Sequence, residues 1–217
     1  MMTMRQTPME NNPPVKVSSV KRDHGKAILT LSNGETRIMP RAMLRERPYK
    51  GGMPFDEEAF ALFIKERSYP YAMDKAVALL SMRARTEKEI VDALRKNTYP
   101  EETIARVMQR LHEAGYINDA QFAAQYSASR ISRGLGARRI RMDLRMKGVD
   151  VQTIDQVVSQ LDAEDVLSSA IKAAKKAAHG KDFNDRADRQ KILAALARRG
   201  YDYQTSKQAL NALTEEN

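Results

Sequence analysis

The stretch from Ala137 to Leu161, ARRIRMDLRMKGVDVQTIDQVVSQL, carries the pattern that decides the fold. Ile140 and Leu144 stand one helical turn apart and share a face with Ala137. Arg138, Arg141 and Arg145 recur at i, i+3 and i+7 on the neighbouring face. Gly148 sits where this pattern stops, at the place where a helix commonly ends on a residue of positive φ. A second amphipathic segment, with Ile154 and Leu161, follows. The arrangement stands 50 residues earlier at Ile90, Leu94 and Leu111, and 52 residues later at Ile192, Leu196 and Leu213. Self-similarity at this period marks tandem supersecondary units that share a core with their neighbours.

Each copy reads as a helix, a short break, a helix with Ile and Leu at i and i+4, a tight turn and a second amphipathic helix. The turns are RKNTYPEE from Arg95, RMKGVDVQ from Arg145 and ARRGYDYQ from Ala197. Gly148 and Gly200 are predicted helix C′ caps. Thr86 and Glu89 form a capping-box pattern, and Pro100 suits the first turn of a helix. The periodicity therefore predicts a mainly α chain, an elongated tandem array of three three-helix, helix-turn-helix-like repeats at 72–119, 120–162 and 163–217. The third copy is the weakest, because Ser206 stands where Ile104 and Ile154 stand.

Ahead of the repeats the texture differs. Residues 1–14 read as a disordered lead-in, with Asn-Asn-Pro-Pro at their end and few large apolar groups. Residues 15–71 are expected to hold a small β segment and connecting helices. Ala27, Leu29 and Leu31 alternate with Ile28 and Thr30, Asn33-Gly34 follows, and Thr36 and Ile38 alternate again. Asn-Gly predicts a hairpin with a type I′ turn. A lone hairpin is marginal in water, so Val15–Val20 is read as a third strand, turning at Asp23-His24-Gly25. Pro48, Gly51, Gly52 and Pro54 break the next stretch into a short helix and a loop.

Composition narrows the function classes. The chain has 217 residues, no Cys and three His, which excludes disulfides, thiol catalysis and thiolate metal sites. No apolar run is long enough to span a bilayer and no secretory leader is visible, so a soluble, cytoplasmic protein is expected. The formal net charge is +9, which suits an anionic partner. Residues 120–149 concentrate it: Arg130, Arg133, Arg138, Arg139, Arg141, Arg145 and Lys147 stand against Asp143 alone.

The arginine stripe suits phosphates or carboxylates, because guanidinium donates two parallel hydrogen bonds to either. Gly134 and Gly136 lie just before that helix, where free N–H groups and the helix dipole favour an anion. A solvated helix face is the alternative. With acids so sparse, pairing within the helix cannot neutralise the stripe, and that favours a binding surface. Arg83 and Arg85, at the corresponding break of the first repeat, are either a second basic corner or exposed loop residues. Arg198 and Arg199 are read as offsetting a helix C-terminus. Tyr99 and Tyr201 occupy matching turns and are expected to pack the junctions rather than stack on bases. The twelve Met are read mainly as core filler.

Catalytic readings find no support. There is no P-loop, and Gly134-Leu135-Gly136 follows a helix rather than a strand, so it is no dinucleotide fingerprint. Asp182, Asn184 and Asp185 lack the glycine and bidentate glutamate of a calcium loop; Asp185 or Asp188 is expected to cap a helix starting near Arg189. Glu87, Glu89 and Asp92 sit on one solvent-facing helix, not converging as a nuclease metal site requires. No enzyme and no cofactor is expected.

Three stretches together resemble the RecX regulatory proteins of bacteria: LLSMRARTEKEIVDALRK (79–96), LHEAGYINDAQFAAQYSASR (111–130) and GLGARRIRMDLRMKGV (134–149). They span most of the first two repeats in the family's order and spacing; the match thins in the third, and residues 1–60 lie outside it. The resemblance implies tandem three-helix units that bind the RecA recombinase, chiefly as its filament on single-stranded DNA. It implies restraint of RecA's ATP hydrolysis, strand exchange and support of LexA self-cleavage. It supplies no catalytic residue and no defined contact set. The expected surface thus rests on charge alone: Arg83, Arg85, Arg130, Arg133, Arg138, Arg139, Arg141, Arg145 and Lys147. A monomer touching RecA, single-stranded DNA and, weakly, duplex DNA is expected. The rival reading is a free-standing DNA-binding protein of tandem helix-turn-helix-like units.

Overall fold

The computed structural model describes residues 14–182 and 185–215. All but one residue of the expected disordered lead-in, and Asn184 of the rejected calcium loop, lie outside the described residues. The described residues form two compact bodies, 14–78 with 92–110, and 79–91 with the described residues from 111 onward.

The first body begins with a three-stranded antiparallel sheet, β1 (Val17–Asp23), β2 (Lys26–Leu31) and β3 (Thr36–Pro40), in that order. Alternation does what period two requires: Ala27, Leu29, Leu31 and Met39 are buried on one face, while Ile28 and Ile38 pair across the other. Asp23-His24-Gly25 turns as expected, with His24 taking the positive φ of 47°. The Asn33-Gly34 turn is not type I′. Only Gly34 has a positive φ, 85°, and the Gly34 amide bonds the Leu31 carbonyl while the Leu31 amide bonds that of Glu35. This three-residue loop places glycine alone in the left-handed region, and the Asn33 side chain instead accepts the Glu35 amide at 3.1 Å.

After β3 a short 3-10 helix (Arg41–Arg45) and a loop lead to the long helix α1 (Glu57–Met82), which is continuous across the expected boundary at 71/72. The loop returns to β1 through the Val17 amide to Met53 carbonyl bond at 2.8 Å. The core beneath the sheet joins Met39, Met43, Tyr49, Phe55 and Phe60. Helix α2 (Glu87–Lys96) and α3 (Glu101–Glu113) follow. Within the first body the Ser68 and Thr103 hydroxyls share a buried 2.7 Å hydrogen bond between α1 and α3. Gly25 has no room for a side chain, because a Cβ there would lie 1.6 Å from Asn97 Oδ1.

The second body contains α4 (Asp119–Ser132), α5 (Ala137–Met146), α6 (Val151–Ser159), α7 (Ala163–Ala178), α8 (Arg186–Arg198) and α9 (Tyr203–Glu215). Side-chain caps start five of them: Asn118, Asp150, Asp162, Asp185 and Asp202 each accept an amide hydrogen of the first turn. Asp185 is the cap of α8, which begins at Arg186, three residues earlier than expected. Phe122, Ile131, Ile140, Leu144, Ile154 and Val158 form one core; Ala170, Ala174, Ile192, Leu196, Leu210 and Leu213 form the next. Val166 packs against both, which is the shared core that tandem units require.

Gly148 and Gly200 end α5 and α8 with φ of 84° and 90°, and the amides that follow reach back to Leu144 and Leu196. In the first copy Thr98 holds this place at φ 63°, while the Tyr99 amide still reaches Leu94. Tyr99 and Tyr201 are buried, as expected of junction residues. The Ser169 hydroxyl donates to the Ile131 carbonyl at 2.5 Å, so the Tyr201 hydroxyl donates to Ser169 at 2.8 Å. Burial raises the Tyr201 phenol above its ordinary range, keeping that proton on oxygen.

A β-branched residue in the left-handed region costs free energy that glycine does not. Thr98→Gly is expected to raise stability by about 1 kcal/mol, read as a shift in the urea midpoint. Gly200→Ala is expected to lower stability by well over about 1 kcal/mol in the same measurement, since its Cβ would meet the Arg139 amide nitrogen at 2.3 Å.

Candidate nucleic-acid and protein interface

The N-terminus of α5 was expected to offer free amides to an anion. It does not. The Gly136 amide donates to the Arg199 carbonyl at 2.9 Å and the Arg138 amide to the Gly200 carbonyl at 3.0 Å. The carbonyls that terminate α8 thus satisfy the amides that begin α5, and the two helix dipoles run head to tail. The approach depends on glycine at both ends, because a Cβ on Gly136 would lie 2.5 Å from the Gly200 carbonyl.

A second junction of this kind joins α5 to α2. The Thr86 hydroxyl donates to the Lys147 carbonyl at 2.7 Å, just past the end of α5, while accepting the Glu89 amide at 3.2 Å. Only half of the expected capping box therefore forms. Glu89 does not turn back to the helix end; its carboxylate accepts Lys147 Nζ at 2.7 Å and the Arg83 guanidinium at 2.9 and 3.3 Å. Burial alone would raise the Glu89 carboxyl, but hydrogen bonds from Arg83 and Lys147 outweigh it and hold the group down at about 2.

These junctions sort the nine expected surface residues. Arg83 and Lys147 are engaged with Glu89, and the Lys147 ammonium also lies 5.5 Å from the ring centres of Phe122 and Tyr126. Arg85 is half-buried and donates to the Leu79 carbonyl at 3.1 Å. Arg130 stacks over Tyr126 at 4.5 Å. Arg139 pairs with Asp143 at 3.1 Å, four residues on, and Arg141 pairs with Asp155 of α6. The stripe is thus partly neutralised after all, and the acid that reaches Arg141 comes from the next helix. Arg133, Arg138 and Arg145 are exposed and make no ion pair among the described residues.

Beside them lie side chains that were assigned to the core. Met142 is 45% exposed and Met146 63%, so the outer face of α5 alternates Arg138, Met142, Arg145 and Met146. Helix α7 carries basic residues outside the expected surface. Its run Lys172–Ala178, KAAKKAA, packs alanines inward and turns Lys172, Lys175 and Lys176 outward, where they line a cavity with Arg133. The i, i+4 lysines on an alanine-packed helix were the available signal.

Family models described as the first, second and third three-helix domains of RecX match residues 72–111, 118–158 and 163–210. The chain belongs to the RecX family. The regulatory protein RecX of Streptomyces lividans is 38% identical over 142 residues, covering 64% of this chain and 74% of that relative. The RecX of Levilactobacillus brevis is 34% identical over 166 residues, covering 75% of this chain and 62% of its own length. A crystal structure of a regulatory protein RecX matches with a TM-score of 0.63 at 25% identity, over 90% of this chain and 99% of the other. That of RecX from Lactobacillus salivarius shares the fold at 23% identity, with a TM-score of 0.64 over 68% of this chain and 97% of the other. The RecX match includes the third repeat, where the quoted sequence likeness thins. RecX is a family of regulatory proteins by name, and no helix among the described residues is long and apolar enough to cross a membrane.

Glu89 gives the junction a pH signature. Its folded-state carboxyl lies below the ordinary 4.5, so its contribution is full above that value and is lost as pH falls toward about 2. Glu89→Gln is expected to cost about 2 kcal/mol at pH 7. The gap between variant and wild type should close between pH 4.5 and 2 in urea titrations.

Proposed function

We propose that this protein binds the RecA filament on single-stranded DNA and restrains RecA's ATP hydrolysis, strand exchange and support of LexA self-cleavage. The observation that carries this reading beyond family membership is the outer face of α5. Arg138 and Arg145 stand there without ion pairs among the described residues, next to the exposed Met142 and Met146. Phosphate alone gives a methionine nothing to bury against, whereas an acidic protein surface with apolar side chains matches both residue types. Arginine and methionine are enriched at protein interfaces.

In this reading Arg133, Arg138, Arg139 and Arg145 meet the partner, with Arg130 and Arg141 at the flank. Arg83, Arg85 and Lys147 act one step back, by fixing where α2 and α5 lie. The repeats at 72–119, 120–162 and 163–217 serve as consecutive modules, so that one monomer touches adjacent RecA subunits. Bridging subunits hinders the motions of ATP turnover, and occupying the filament excludes duplex DNA and LexA. The protein acts by binding rather than catalysis. Affinity has a salt-dependent part, from cations meeting carboxylates or phosphates, and a salt-independent part, from the methionines.

The test is RecA ATPase on single-stranded DNA titrated with this protein. Arg138→Glu with Arg145→Glu is expected to raise the half-inhibitory concentration at least tenfold while leaving the circular dichroism spectrum unchanged. Arg141 is left intact because reversing it would also break its pair with Asp155. Inhibition by the double variant equal to wild type would remove the α5 face from the mechanism. Absence of inhibition by the wild-type protein would end the RecA reading itself.

A further inference from the structure

Between α4 and α7 lies a cavity of about 740 Å³, within the range that holds small ligands. Its floor is apolar, with Ile131, Leu161 and Ala173. Five cations border it: Arg133 after α4, Lys172, Lys175 and Lys176 on α7, and Arg199 at the end of α8. Gly134 lies against two of these segments. A Cβ built there would stand 3.1 Å from the Arg199 guanidinium and 3.8 Å from Ala173, the residue next to Lys172.

The acids of the cavity, Asp162 and Asp165, sit at the other end of α7. Asp162 already accepts the amides of Glu164 and Asp165 as the helix cap. Arg133, Lys172 and Lys176 make no ion pair among the described residues, and Lys172 and Lys176 are exposed four residues apart on one face. The exposed Ser168 adds a hydroxyl donor to the rim, while the Ser132 hydroxyl donates to the Ser129 carbonyl at 2.9 Å. Uncompensated cations and hydroxyls around a concavity recognise a run of phosphates. Among the described residues no aromatic side chain lines the cavity, so they offer no platform on which bases would stack.

We propose that this cavity holds the sugar-phosphate backbone of a single nucleic-acid strand, gripped without regard to sequence. A concavity suits a flexible strand, whereas a duplex presents a convex cylinder. This deepens the filament reading by assigning the strand a place on this chain, separate from the α5 face that meets protein.

The test uses the full chain and a labelled oligo-dT in fluorescence anisotropy without RecA, over a range of salt. Lys172→Glu with Lys176→Glu is expected to weaken binding at least tenfold. It should also flatten the slope of log K against log salt by roughly 1.4, two phosphate contacts at about 0.7 each. Lys172→Ala with Lys176→Ala should show the same change in smaller degree, guarding against misfolding of the reversed pair. Lys21→Glu with Lys207→Glu, an equal change of net charge at exposed sites outside the cavity, is expected to weaken binding less than threefold. Wild-type affinity in the cavity variants, or an equal loss in the control, overturns the proposal. Inorganic tripolyphosphate is the second arm. Weak competition supports a strand; binding as tight as oligo-dT and lost in the same variants overturns it in favour of a small polyphosphate. Because RecA is absent, failure here leaves the filament reading to the ATPase titration.

Discussion

Helix α5 begins where α8 ends. The amides of Gly136 and Arg138 are closed by the carbonyls of Arg199 and Gly200, and one repeat further back Thr86 takes the carbonyl of Lys147. Helix ends normally seek water or side chains for these groups; here each repeat supplies them to its neighbour, and the dipoles align. Such an approach tolerates almost no side chain, and so Gly136 and Gly200 meet where the backbones are closest. The pitch of the array in the second body is therefore set by hydrogen bonds of fixed length, with the shared packing of Val166 reinforcing it.

That arrangement decides what each cation does. Residues that look alike along the chain are divided between holding the junction and facing outward. Arg83 and Lys147 converge on one carboxylate, Glu89, whose depressed protonation is the direct consequence of two hydrogen-bonded cations beside it. Arg138 and Arg145, on α5 itself, make no ion pair among the described residues, although Arg138 lies near enough to Asp202 to help lower that carboxyl. One short helix and its C-terminal cap thus carry both paired and unpaired cations, divided by which of them an acid reaches.

The N-terminal body follows ordinary sheet physics. A single buried face of alternating residues packs on aromatic side chains from the loop and α1, and Gly25 lets the turn of β1–β2 meet Asn97. The turn between β2 and β3 departs from expectation in an informative way. Asn33-Gly34 has the composition of a two-residue turn, yet the strands' register makes a three-residue loop, and only glycine then needs the left-handed conformation.

The repeat at 50 and 52 residues, the C′ positions of Gly148 and Gly200, the strands and the buried Tyr99 and Tyr201 were all readable from sequence. Each follows from local preferences or from a period that a helix or strand imposes on burial. The division of labour among the arginines was not readable. It depends on Glu89 and Asp155 arriving from other helices, and on a glycine contact between residues more than sixty positions apart. The exposure of Met142 and Met146 was hidden for the same reason: helical spacing says that residues share a face, and only neighbouring elements decide whether that face is covered. The cavity beside α7 required the fold as well, because its cations come from three separated segments whose nearness no local preference encodes.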